Sequence, residues 1–368
     1  MTKYRAGIIG LGYMGMLYDI GTRTGKWDGN DPTHIDRPLP DNLDIHRRVH
    51  MHEYGLREEQ TYAAALNDRP EIQLVAGADR DIKRLEIFQK RYNVNGLYTD
   101  AIDMLKKENL DVVAIASNVK GRADLTCAAV DNGAKGILTE KPMAHTIEET
   151  DRMVKSCSEA GVPIVCGSTA TSHPAFGKAK ELIKNGEIGE LLSIEAPGPA
   201  GQDQAWSYFI DGEPSWVLGM CDTERRQDGS DEFEGQGMLG CSDGMIVHFR
   251  KGAPRIRVTG TEGEFMQQIK THPLRLFKNF DYKNAPAQVE IPWTDRNVDR
   301  GGSGTVFGLS DLIECMEGRL DEPNNSARRV AVAINVEIAL KESSDIGGKR
   351  VDLPLQDRTL GLNYATHR

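Results

Sequence analysis

The stretch that most restricts what this chain can fold into is Tyr4 to Gly15, YRAGIIGLGYMG. An apolar run from Tyr4 to Ile9 reads as a buried strand and leads directly into Gly10-Leu11-Gly12-Tyr13-Met14-Gly15, which has the G-x-G-x-x-G spacing. In such a loop the first glycine permits the tight turn and the second lets a pyrophosphate approach the backbone. The third lets the following helix pack on the strand, and the helix N-terminus turns free N–H groups toward the phosphates. A second strand ending on an acidic residue belongs about 20 residues further on. The stretch after Gly15 is instead rich in Trp, Asp, Asn, Pro and His and has no strand pattern.

The missing half stands later in the chain. Ile72 to Asp79, IQLVAGAD, reads as a strand closed by an acidic residue, and Thr61 to Leu66 reads as a helix leading into it. The spacing therefore predicts an ordinary strand–helix–strand unit opened between about residues 17 and 58 by an insertion. Asp79 is placed to accept hydrogen bonds from ribose hydroxyls, which favours NAD. Arg80 beside it offers a guanidinium to a 2′-phosphate, so NADP stays open as an alternative.

From Pro70 to Leu138 strand and helix patterns alternate. Helical spacing runs from Asp81 to Tyr92, LDVVAIAS (Leu110 to Ser117) is a near-continuous apolar run, and Ala123 to Gly133 reads as a helix before the strand Gly136 to Leu138. Alternation of this kind predicts a doubly wound parallel sheet. It continues through helix Ile147 to Ala160, strand Val162 to Cys166 and helix Ala175 to Asn185. Beyond about residue 188 short strand-like segments dominate: 191–195, 215–220, 245–249, 255–258, 274–277 and 288–291. Turn pairs such as Asp243-Gly244 and Lys251-Gly252 separate several of them, which predicts a mostly antiparallel sheet. Helices are expected near Gly308 to Met316 and Ser326 to Glu342. The fold class expected is α/β: a Rossmann domain over residues 1–145 carrying the insertion, then an α/β domain with a large open sheet over 146–368.

Composition narrows the partners. The formal net charge of −10 argues against nucleic acid or an anionic membrane as a general partner. No apolar run approaches the ~20 residues a spanning helix needs. MTKYRAGIIG enters the first strand with no room for a signal peptide. Six cysteines, Cys127, Cys157, Cys166, Cys221, Cys241 and Cys315, are scattered without a C-x-x-C pair, as expected of a reduced, cytoplasmic protein.

A second motif, LTEKPMA (residues 138–144), follows the strand Gly136 to Leu138. Glu140-Lys141-Pro142 would then sit at the C-terminal edge of a parallel sheet, where ligands bind in open α/β folds. A lysine there can exchange a proton with a hydroxyl or carbonyl. Together GIIGLGYMG, LVAGADRD, VVAIASN, TEKPMA, KNGEIGELLSI, GTEGEF and KRVDLPL resemble, in order along nearly the whole chain, the Gfo/Idh/MocA oxidoreductases. The resemblance implies a nicotinamide cofactor and hydride transfer on sugars, cyclitols or related polyols. It also implies a homo-oligomer, dimer or tetramer, formed through the C-terminal sheet. It places Gly10, Gly12 and Gly15 on the pyrophosphate and Asp79 on the ribose. Ser117 and Asn118 line the cofactor, Glu140 and Pro142 shape the lysine loop, and Lys141 is the catalytic lysine.

The chain departs from that family at one place. Family members carry a catalytic histidine followed three residues later by aspartate after the strand corresponding to 191–195. Here that stretch is EAPGPAGQDQAWSYFIDGEPSW, and matching Asp203 to the aspartate leaves Ala200 at the histidine position. The insertion, by contrast, carries His34, His46, His50 and His52, four of the nine histidines, with Trp27 among its aromatic and polar groups. It reads either as a lid supplying substrate contacts or as an interface element. His46 and His50 have i, i+4 spacing, but no carboxylate or cysteine at fixed spacing accompanies them, so no metal is expected. Candidates for substrate contact are Lys141, His173, Gln202, Asp203, Trp27 and His34. His173 reads equally as a helix-start residue before Pro174, and Trp206, Tyr208 and Phe209 read as core rather than as a sugar platform. The leading expectation is an NAD(P)-dependent dehydrogenase of CH–OH groups. An NAD-retaining lyase, epimerase or glycosidase and a non-catalytic dinucleotide-binding protein are the alternatives.

Overall fold

The computed structural model describes residues 4–17, 61–167, 170–199, 204–221, 230–250, 255–268, 275–282, 285–291 and 304–364. The insertion from residue 18 onward, with Trp27, His34, His46, His50 and His52, lies outside the described residues. So do Ala200, Gln202, Asp203 and the Lys251-Gly252 turn.

Strand β1 (Tyr4–Ile9) lies at the centre of a six-stranded sheet. Its neighbours are β2 (Ile72–Ala78) and β4 (Val112–Ile115), both parallel to it, with Ala6 opposite Leu74 and Val112. The edges are completed by β3 (Gly96–Tyr98) beside β2, and by β5 (Gly136–Thr139) and β6 (Ile164–Cys166) beyond β4. The order β3-β2-β1-β4-β5-β6 reverses direction between β1 and β4, and that reversal opens the crevice in which doubly wound sheets bind ligands.

The crossover helices are α1 (Tyr62–Asn67), α2 (Ile82–Tyr92), α3 (Ala101–Glu108), α4 (Arg122–Asp131) and α5 (Ile147–Ala160). Local chemistry sets their starts. The side chains of Thr61, Asp81 and Asp100 accept backbone N–H groups at the N-termini of α1, α2 and α3. Asn93 and Asn109 adopt left-handed backbone (φ 53° and 47°) at the ends of α2 and α3.

The chain divides into two compact units, and it does not do so at a single cut near residue 145. The first unit comprises 1–144, 152–168 and 301–327. The reason is packing. β6 pairs with β5, and α8 (Gly304–Met316) lies against β5 and β6, with Leu309, Leu312 and Ile313 sharing one core with Ile8, Leu66 and Leu138.

The second unit is built on nine strands: β7 (Leu191–Ala196), β8 (Pro214–Cys221), β9 (Gly235–Cys241), β10 (Ile246–Arg250), β11 (Arg255–Gly260), β12 (Gly263–Gln268), β13 (Arg275–Tyr282), β14 (Ala285–Ile291) and β15 (Val351–Asp352). Their order is β14-β13-β12-β11-β7-β10-β9-β8-β15, antiparallel except for the β7–β10 pair. One face is buried through Ile194, Val217, Leu239, Val247, Phe249 and Val258. The helix α9 (Ala327–Asp345) is tied to β8 by Ser343 Oγ, which accepts the Gly219 N–H (2.9 Å), and by Ser344 Oγ, which accepts that of Cys221 (3.0 Å). The unit also holds α6 (Pro174–Lys184) and the single turn α7 (Trp206–Phe209). Trp206 is core, as expected: its indole N–H donates to Pro199 O (2.8 Å) and its ring meets Phe249 edge-on.

Candidate functional site

The glycine loop follows β1 and turns back at once. Gly10 has φ +89°, and a Cβ placed on it would stand 2.7 Å from the carbonyl oxygen of Ala116, at the end of β4. Only glycine can make that turn against that neighbour. A Cβ on Gly15 would overlap the carbonyl oxygen of Gly10 itself, so the third glycine is required by the return of the chain. Gly12 differs: the nearest atom to a Cβ there is Arg84 Nη1 at 3.5 Å, which leaves an open backbone cradle. The loop closes with a π turn, Tyr13–Leu17, in which the Met16 and Leu17 N–H groups both donate to Gly12 O (2.9 and 3.0 Å).

Asp79, just past β2, holds this loop. Its Oδ2 accepts the Leu11 N–H at 2.7 Å and its Oδ1 accepts that of Asp81 at 2.9 Å. Oδ1 keeps a second acceptor position, which fits a ribose hydroxyl. The guanidinium beside it is not that of Arg80, which is exposed. It is Arg84, one turn into α2, with Nη1 3.4 Å from Asp79 and Nε 3.5 Å from Asp81 Oδ2. The two side chains of the Arg84–Asp79 pair are only 12% and 9% exposed.

The next two strands supply the second half of the site. Ser117 and Asn118 follow β4, with Ser117 Oγ donating to Asn118 O (3.1 Å). After β5 comes Glu140-Lys141-Pro142, with a cis bond between Lys141 and Pro142. The Glu140 side chain turns inward (7% exposed) and is satisfied there. Its Oε1 accepts the Tyr62 hydroxyl at 2.9 Å, and its Oε2 accepts the Lys141 backbone N–H at 3.1 Å. Burial, and after it the charge of Glu140, pushes the Tyr62 phenol well above its usual range, so it stays a donor.

Arg122, the first residue of α4, is 3% exposed, and its guanidinium spans both loops. Nη1 donates to Glu140 O (2.7 Å) and to Pro142 O, and Nη2 donates to Ser117 O. Burial lowers its pKa, opposed by the charge of Glu140. The Lys141 backbone is therefore clamped on both sides, and its side chain is half-buried.

The glycine loop, Asp79, Ser117, Asn118 and Lys141 thus all lie at the C-terminal ends of β1, β2, β4 and β5. The open backbone at Gly12 and the acceptor at Asp79 fit a dinucleotide. Sequence reasoning missed Tyr62, Arg84 and Arg122. Arg84 carried a readable signal, being one of two arginines within five residues of Asp79.

His173 belongs to the second unit. It caps α6 with backbone φ −69° and ψ 136°, and its Nδ1 accepts the Ala175 N–H at 3.1 Å. That geometry supports the helix-start reading. No group of three or more His, Cys, Asp or Glu capable of holding a metal occurs among the described residues.

Residues 54–168 match the model of the Gfo/Idh/MocA oxidoreductase family, described as having an NAD-binding Rossmann fold. Over 125 residues the chain is 32% identical to D-apiose dehydrogenase of Paraburkholderia graminis, which covers 34% of this chain and 33% of that one. Over 129 residues it is 28% identical to myo-inositol 2-dehydrogenase of Thermotoga maritima, covering 34% and 38%. The match thus spans about a third of the length of these curated relatives. The solved structure of myo-inositol 2-dehydrogenase from Lactobacillus plantarum superposes with a TM-score of 0.62 over 96% of this chain and all of its own, at 20% identity, which shows the shared fold. The acidic residue after β2 and the Glu-Lys-Pro loop thus lie inside the stretch that matches the NAD-binding Rossmann model of the Gfo/Idh/MocA oxidoreductase family, and the glycine loop on β1 completes the same sheet.

Proposed function

We propose that this chain is an NAD-dependent dehydrogenase or reductase acting on a CH–OH group of a sugar, cyclitol or related polyol. The observation that carries the reading is Lys141, held by its own backbone at the C-terminal edge of the sheet two strands from the glycine loop. The loop Gly10–Gly15, Asp79 and the Ser117-Asn118 stretch would hold the cofactor. NAD, when bound, supplies the hydride acceptor. Lys141 orients the reacting hydroxyl and takes its proton in oxidation, and as an ammonium returns it in reduction. Proton handling of this kind contributes typically about 10²–10⁴-fold.

NAD is the preferred form in this reading. Asp79 presents a carboxylate where a 2′-phosphate would lie, Arg80 is exposed, and Arg84 is already engaged by Asp79 and Asp81. The protein works in the cytoplasm, a reading supported by six cysteines that are all unpaired. It assembles with copies of itself through the outer face of the nine-stranded sheet. The support is a run of apolar side chains there, Leu218, Met238, Ile246, Met266 and Phe277 half-buried and Met220 63% exposed.

The experiment is a panel of sugars, inositols and sugar acids offered with NAD and with NADP, following the absorbance of the reduced cofactor. Turnover of at least one polyol is the expected result. Tight NAD binding with no reduced cofactor from any member, in either direction, would overturn the reading.

A further inference from the structure

A buried arginine is costly unless hydrogen bonds of its Nη groups offset the removal of the guanidinium from water. Arg122 is 3% exposed, yet no carboxylate takes its Nη groups. They go to three backbone carbonyls instead. Two of these, Glu140 O and Pro142 O, bracket Lys141 within one loop. The third, Ser117 O, belongs to the neighbouring loop after β4. A carbonyl clamp of this kind fixes peptide planes rather than side chains. The Glu140 carboxylate fixes the same segment from its other side, through Tyr62 and the Lys141 N–H.

We infer that Arg122 is a positioning residue for Lys141, and that it couples the Lys141 loop mechanically to the Ser117-Asn118 loop. The inference rests on the assignment of Lys141 to proton handling made above. Its consequence is that placement of the lysine depends on the guanidinium fork and not merely on a positive charge. Lysine at position 122 brings one compact ammonium on a flexible stem, which cannot hold three carbonyls in one plane. A displacement of about 1 Å at a reacting group costs on the order of 10²-fold in rate. The glycine loop and Asp79 make no hydrogen bond to Arg122, so most of the affinity for NAD is kept and only the contribution of the Ser117-Asn118 loop is weakened.

The test uses the full-length protein with NAD as the probe and compares wild type with Arg122→Gln, Arg122→Lys and Lys141→Ala. Three quantities are read: NAD affinity by titration, kcat on the best polyol of the panel, and amide hydrogen exchange over residues 117–121 and 139–144, with β1 and β4 as internal controls. For Arg122→Gln the expected result is an NAD Kd within about threefold of wild type and kcat lower by roughly 10–100-fold. Exchange over 139–144 rises by about tenfold or more while the control strands are unchanged. Arg122→Lys should fall between the two. If Arg122→Gln does not fold, Arg122→Lys carries the same comparison. Wild-type exchange over 139–144 in a folded variant overturns the inference, whatever its turnover. So does a variant that loses NAD affinity while keeping kcat. Lys141→Ala with undiminished kcat would instead remove the lysine from the chemistry, leaving the exchange pattern alone to decide whether Arg122 holds its loop.

Discussion

Glu337 offers a quantitative test of the packing of the second unit. It lies on α9, is buried, and accepts the Phe233 N–H through Oε1 (3.2 Å) and the Tyr364 hydroxyl through Oε2 (3.1 Å). Burial pushes its carboxyl up to about 8. The charges of Glu232 and Asp231 add to that rise, and the two hydrogen bonds oppose it. Tyr364 is itself raised well above its usual range by burial and by Glu337, so it remains a phenol throughout the window of interest. Because the folded pKa is raised above the unfolded value of 4.5, the stability linked to this group is fully present below that value and is lost as pH climbs toward 8. At about 1.4 kcal/mol per pH unit the loss amounts to roughly 3 kcal/mol between pH 5.5 and pH 8. That is a large share of the roughly 5–15 kcal/mol that holds a typical protein folded. Glu337→Gln cannot ionise, yet its carbonyl can accept from Phe233 while its amide donates to a reoriented Tyr364 hydroxyl. Urea unfolding of both full-length proteins across pH 5–9 isolates the group, because every other titration cancels in the difference. The wild type should lose stability relative to Glu337→Gln as pH rises, and the difference should level off above pH 8. Parallel curves would mean that Glu337 ionises in the folded state as easily as in the unfolded one.

Three further outcomes concern the first unit. Lys141→Ala should lower kcat by about 10²–10⁴-fold while leaving the NAD Kd unchanged, and Lys141→Arg should not rescue it, since a guanidinium does not give up its proton at neutral pH. Asp79→Ser removes a negative charge and releases Arg84 from its partner. It should raise NADP affinity relative to NAD by about tenfold, or ~1.4 kcal/mol, and adding Arg84→Gln should reverse the gain, as measured by titration with both cofactors. Gly15→Ala places a methyl group on the Gly10 carbonyl oxygen. Cofactor binding should be lost in any soluble protein recovered, and normal NAD affinity in that variant would show that the loop can open to accommodate a side chain.

The backbone of the site was legible because its parts are made by short-range rules. A strand, three glycines with separate tasks, an acidic residue at a strand end and a lysine after the fourth inner strand all leave marks within a few residues. The hidden part was decided by side-chain direction. Arg80 and Arg84 are equally basic in the sequence, but the phase of α2 turns Arg84 over Gly12 and leaves Arg80 in water. Arg122 sits at a helix start, where a cation is ordinarily solvated, and only the convergence of two loops makes it interior. Strand β9, GQGMLGC, escaped the strand pattern because glycines fill positions where bulky neighbours pack, such as Gly240 under the ring of Trp216. No strand pattern marks Lys349 to Asp352, yet Val351 and Asp352 pair with Val217 and Trp216 on the edge of the sheet.

The late helix α8 also dictates an order of events at the ribosome. The strands that will hold the dinucleotide are complete once residue 166 has been made, but the apolar face that Leu309, Leu312 and Ile313 must cover stays bare until roughly 150 residues later. At about 5–20 residues per second that is on the order of ten to thirty seconds of exposure. During this interval the nine-stranded sheet is being synthesised, so the second unit grows while the first is unfinished. A fragment ending near residue 145 would lack both β6 and this cover. It should be sticky and chaperone-dependent, whereas a fusion of residues 301–327 behind residue 168 through a short linker should yield a free-standing nucleotide-binding body.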